Sequence, residues 1–334
     1  MKRTLSCLLA LVMLLSLSVA AAAETEQEDI ELVSALDAKG EDATELVTVT
    51  SFADREELSE DNLKMYEDAI ATILKAFEEA ARNDPRVHVD SDEVVVALYD
   101  TCFVELDENG EQPFEIEVTA PENYKASMLF SDGVWNVIDT ELDNGNVRYT
   151  QEGNAVLAEI VIYASGKGGD EDDEPGDQGF HPSRENYEQP ELQEVVDRNG
   201  KNVNDNLRVI IYRDNEELPK VHRDVFELAY EDLYEHFDEI SVEDKELSEA
   251  ADGKPVAVSD AFFVSARDSS RIEYNLRIRL ELTKYGTPDD DEFVALMEYV
   301  DGVWQFADSS VSDGVLSATI DHIGPFAIVV FSVE

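Results

Sequence analysis

The residues of this chain best suited to chemistry are its acids. Asp170, Asp172, Glu174 and Asp177 alternate along one acidic stretch, and Asp289, Asp290 and Asp291 form a second. Oxygen-rich loops of this kind suit calcium, which takes six to eight oxygen ligands. The EF-hand order of Asp, Asp or Asn, Gly and a distal Glu is not met. A solvated acidic surface is therefore the first reading of these loops, and calcium the second. The five histidines, His88, His181, His222, His236 and His322, show no convergent spacing for a metal or a catalytic triad. Trp135 and Trp304 would serve either as sugar-stacking platforms or as core anchors; each follows a turn signal, which favours the core. No catalytic or cofactor motif stands out, so the expectation is no catalytic residue and no cofactor beyond a weakly indicated calcium ion.

The elements that would position these residues occur twice. Glu31 to Val104 aligns without a gap against Glu191 to Val264 at an offset of 160, and after one insertion the register resumes at an offset of 169. The paired residues are alike in character: Asp100, Phe103 and Val104 match Asp260, Phe263 and Val264, and Asp132-Gly133-Val134-Trp135 matches Asp301-Gly302-Val303-Trp304. A repeat of this length predicts two copies of one folded unit. Each copy opens with a short lead (Leu32 to Leu36, Leu192 to Val196) and a β-rich run (Leu46 to Phe52, Leu207 to Tyr212). Helices are expected over 59–81, capped by Ser59, and over 219–239, with Pro219 in the first turn. Their apolar stripes (Tyr66, Ile70, Ile73, Phe77; Val225, Ala229, Leu233, Phe237) read as core. Beyond each helix the period falls to 2, with strands over 94–98, 103–106, 114–118 and 128–130, and hairpin signals at Asn109-Gly110 and Asp132-Gly133. The predicted class is α+β: two tandem antiparallel β-sandwich-like modules, each with one packed amphipathic helix. Their expected bounds are 31–164 and 191–334, joined by an acidic Gly/Pro linker over 165–190.

Residues 1–23 read as a secretory signal: Lys2 and Arg3, an apolar run from Leu5 to Leu17, and Ala20 to Ala23 before Glu24. A retained membrane anchor is the alternative for this segment. The chain carries 77 acidic against 25 basic residues, a net charge of −52, and cleavage would remove Lys2 and Arg3 and take it to −54. Such a field repels nucleic acid and anionic lipid and attracts cations. After cleavage Cys102 has no second cysteine to pair with, and its counterpart Phe262 marks the position as apolar packing. A secreted protein with no nucleic-acid partner and no inserted segment is expected.

Two stretches, Asp100 to Pro113 with the following Asp-Gly-x-Trp hairpin and Thr319-Ile320-Asp321-His322-Ile323-Gly324-Pro325-Phe326-Ala327-Ile328-Val329, resemble β-sandwich modules of secreted and cell-wall surface proteins of Gram-positive bacteria. The resemblance covers 94–163 and, more loosely, 256–334. It implies a surface or secreted binding or spacer role toward a cell-surface, matrix or glycan ligand, and no reaction. Related-looking domains cleave themselves at a His-Phe-Ser tripeptide through the serine hydroxyl. This chain has His322-Ile323-Gly324 and, in the first copy, Gly153-Asn154-Ala155, neither with a nucleophile. The alternative function is a secreted hydrolase with its site between the two copies.

Overall fold

The computed structural model describes residues 29–89, 94–164, 190–243, 255–266, 272–282 and 292–332. In the first half of the chain β1 (Leu32–Leu36) and β2 (Val47–Ser51) precede helix α1 (Glu60–Asn83). Seven strands follow: β3 (Val94–Leu106), β4 (Phe114–Thr119), β5 (Tyr124–Ser131), β6 (Val134–Ile138), β7 (Glu141–Asp143), β8 (Asn146–Gln151) and β9 (Ala155–Ala164). In the second half β10 (Glu191–Val196) and β11 (Leu207–Ile211) lead into helix α2 (Lys220–Glu243). Then come β12 (Pro255–Ala266), β13 (Leu276–Glu281), β14 (Glu292–Val300), β15 (Val303–Phe306), β16 (Ser309–Ser312), β17 (Val315–Ile320) and β18 (Gly324–Ser332).

These strands form four antiparallel sheets. The first half holds the orders β1-β4-β8-β7 and β2-β3-β9-β5-β6; the second holds β10-β13-β17-β16 and β11-β12-β18-β14-β15. Strand for strand, the second pair of sheets has the order of the first. Alternation explains the layers: Ile116 and Val118 of β4 and Val104 of β3 turn into one apolar cluster, and Ile278 and Leu280 of β13 and Val264 of β12 into another. Asp132-Gly133 and Asp301-Gly302 each close a two-residue hairpin, with φ of 54° and 78° in the first and 51° and 83° in the second. Positive φ at both positions is the type I′ requirement, which Asp-Gly meets with little strain.

Two expectations are corrected. Asn109-Gly110 forms a turn, with the Gly110 amide donating to the Asp107 carbonyl at 3.1 Å, but not a hairpin between paired strands. It joins β3 to β4, which lie in different sheets. The runs 94–98 and 103–106 are one thirteen-residue strand. A register shift between Leu98 and Asp100 breaks the period without ending the strand, and β12 has the same shift between Val258 and Asp260.

The helices sit on the five-stranded sheets and on each other. Ser59 Oγ accepts from the Asn62 amide at 3.4 Å and caps α1. The indole N–H of Trp135 donates to the Ala69 carbonyl at 3.0 Å, and that of Trp304 to the Ala229 carbonyl at 2.9 Å. Both tryptophans thus face the helices, Trp304 buried and Trp135 half-buried. One apolar cluster unites Tyr66, Ile70 and Ile73 of α1 with Val221, Val225 and Phe226 of α2 and with Phe103 and Phe263. Among the described residues, no helix is long and apolar enough to cross a membrane.

Candidate functional site

The bulge at Asp100 turns an acid toward the junction of the two halves. Asp100 is fully buried, and its carboxylate accepts from the Ile30 amide at 3.3 Å, the Thr101 amide at 2.7 Å and the Lys220 ammonium at 2.9 Å. Lys220, the first residue of α2, also pairs with Asp29. Burial opposes the charge on Lys220, but Asp100 and Asp29 together hold it above the usual lysine range. A lysine from the second half therefore bridges two aspartates of the first. Arg55 with Glu231 at 2.9 Å, Lys75 with Asp301 at 2.6 Å and the Tyr274 hydroxyl with Glu78 add further ties between the halves.

Three more ionisable groups lie in this region. Glu159 stands opposite Asp100 in the β3–β9 register, is fully buried, and has no hydrogen-bond partner on either carboxyl oxygen. Burial, then the Asp100 charge, pushes it up to about 8. Asp224 is buried with Oδ2 unpartnered, and the same two causes raise it to about 7. His222 stacks on Phe263 at 5.3 Å between centroids, and burial with the Arg208 charge lowers it to about 4. At neutral pH Glu159 is mostly protonated and His222 neutral. Two carboxyls poised near neutrality have the proton affinity of acid–base groups. Both lie inside the packing, however, closed to bulk solvent.

A second constellation lies in the second half just before β18, within electrostatic reach of Lys75 and Glu78 of α1. His322 Nδ1 is 3.1 Å from Asp321 Oδ1 and 3.7 Å from Glu298 Oε2, and one ligand atom from each of the three residues falls within 4.8 Å of the others. The spacing of the five histidines along the chain does not show this grouping. Glu298 reaches the site because β14 pairs with β18, the strand that follows His322. Sequence spacing of 24 residues hides this. A usable signal was the repeat itself, since the counterparts of Glu298 and His322 are Leu129 and Gly153.

A third feature is a shallow groove of about 530 Å³ on the solvent face of the β13 sheet, lined by Arg277, Arg279, Ser309, Ser310, Ser317 and Thr319 among others. The corresponding strands of the first half carry Glu115 and Glu117, bridged by Arg148 at 3.3 Å each. The calcium candidates Asp170, Asp172, Glu174, Asp177, Asp289, Asp290 and Asp291, together with the signal and linker segments, lie outside the described residues. No protein-family model and no curated protein matches the chain.

Proposed function

We propose that this chain is an exported, non-catalytic tandem of two α+β modules that serves as a surface or secreted binding or spacer protein. Its partner would be a cell-surface, matrix or glycan ligand. The observation that carries this reading is the junction. Two halves with one strand order put their helices into one apolar cluster and tie themselves together with Lys220, Arg55 and Lys75. Such a joint suits a pair of modules held at a set spacing while their outer sheet faces stay free. Export is supported by the apolar run from Leu5 to Leu17, and solubility by the net charge of −52.

The rival reading, a secreted hydrolase with its site between the halves, draws on Glu159 and Asp224, whose raised carboxyls suit proton transfer. One panel separates the two. The mature chain is applied to arrays of cell-wall glycans, host glycans and matrix proteins, and in parallel to polysaccharide and ester substrates. Saturable binding without turnover is the expected result. Turnover abolished in Glu159→Gln or Asp224→Asn would replace this proposal with the hydrolase.

A further inference from the structure

We propose that Glu298, Asp321 and His322 form a binding site for a divalent transition-metal cation of the zinc class. The donor set is one imidazole nitrogen and two carboxylate oxygens, which suits zinc-like ions better than the all-oxygen sets that calcium prefers. The separations fit as well. Two ligand atoms about 2.1 Å from a tetrahedral ion stand about 3.4 Å apart. The 3.1 Å and 3.7 Å separations from His322 Nδ1 bracket that value. The third edge, between Glu298 and Asp321, lies within 4.8 Å, and capture would draw those two carboxylates toward the same separation.

A plain ion pair between His322 and its carboxylates is the competing account, and two observations tell against it as a full explanation. The first is where Glu298 stands. Its side chain is 13% exposed, on the face of β14 shared by Leu296, and its first-half counterpart Leu129 packs in the sandwich interior. A carboxylate in such a place is costly unless a full positive charge meets it. An imidazolium would bring one positive charge to two carboxylates, whereas a divalent ion brings two. Second, the ligands are already held. Gln305 Nε2 donates to Glu298 Oε1 at 3.0 Å and leaves Oε2 for the ring, while His322 stacks on Phe326 at 5.2 Å and 20°.

The surroundings set the expected strength. The chain's net negative charge draws cations in. The nearby Lys75 is taken up by Asp301 at 2.6 Å. Asp321 is 75% exposed, so the site stays open to water on one side. The other ring nitrogen of His322, Nε2, is buried without a partner, so the usual outer acceptor that strengthens a metal-bound imidazole is missing. The affinity should fall below that of a zinc site whose imidazole has such an outer acceptor.

The test uses the full mature chain in 0.15 M sodium chloride with zinc chloride, manganese chloride or calcium chloride alone. Calorimetry should give one tight zinc equivalent, distinct from weak binding to the acidic coat, and His322→Gln and Glu298→Gln should each weaken it at least about tenfold. Nitrogen-resolved NMR of the unmutated chain gives an independent readout that survives a variant's failure to fold: zinc should shift the His322 ring resonances at one equivalent. Unchanged zinc affinity in both variants, or His322 resonances unmoved by zinc, overturns the site. So does calcium displacing zinc at equal concentration.

Discussion

The two halves have the same strand order, the same bulge before Asp100 and Asp260, and the same indole bond from a hairpin tryptophan to a helix carbonyl. They differ in where the charge goes. In the first half, Asp100 and Glu159 lie buried side by side; in the second, Ile328 stands where Glu159 would be. Lys220 and Asp224 of α2 match Glu60 and Lys64 of α1, so the lysine bridge has no mirror image at those positions. Glu298 and His322 in turn replace Leu129 and Gly153. The lesson is that backbone order and apolar positions define the scaffold twice, while the polar departures from the repeat mark the places with something specific to hold.

The widest test of the shared scaffold is Phe263→Ala beside Phe103→Ala. Both rings are fully buried in the cluster that joins the halves. Each truncation should cost about 3 to 5 kcal/mol in urea unfolding. A loss below about 1 kcal/mol in one and not the other, a surface-like value, would break the equivalence of β3 and β12.

The junction charge should separate the halves. Lys220→Met leaves Asp100 buried without its cation and should cost about 3 to 5 kcal/mol at pH 7. Glu60→Met, at the exposed counterpart position, should stay within about 0.5 kcal/mol. Equal effects would show that the lysine bridge contributes little in solution.

The titration of Glu159 provides a sharper comparison. Its folded pKa of about 8 lies above the ordinary value of 4.5, so between those pH values the folded state holds more protons than the unfolded one. The stabilisation is complete below about pH 4.5 and is lost as pH rises toward 8, at no more than about 1.4 kcal/mol per pH unit for one proton. Asp224, raised to about 7, adds to the decline in the same sense. Unfolding measured from pH 5 to 9 should therefore show falling stability. Glu159→Ile, which installs the second-half residue type, should flatten that slope. An unchanged slope would place the titration elsewhere.

The smallest expected difference lies at the hairpins. Gly133→Ala and Gly302→Ala each force a residue with a side chain to φ near +80°, at about 1 to 2 kcal/mol. The added methyl at Gly302 also meets the Ala71 side chain of α1 at 3.3 Å, whereas that at Gly133 meets nothing within 4 Å. Gly302→Ala should lower the melting temperature further. Equal shifts would mean that the second hairpin stands off α1 in solution.

The local structure was largely written in residue order. Ser59 before Glu60 and Asp61 announces the α1 cap, and alternation from Leu276 to Glu281 announces β13 as a half-buried strand. Asp-Gly before Val-Trp names the hairpin type, because turn chemistry and periodicity act over a few residues. Asn109-Gly110 misled because a turn signal does not say whether the strands it joins will pair.

What the sequence by itself determined is therefore the repeat, the helices and strands within a few residues, the buried faces and the charge. What only the tertiary structure decided is which polar groups meet. Asp100 and Lys220 are 120 residues apart and touch because α2 packs beside β3. Glu298 and His322 converge because β14 lies against β18. Both meetings depend on long-range packing and strand registry. The same carboxylate that is solvated in one place is buried, protonated or poised to bind a cation in another, and no local spacing records the difference.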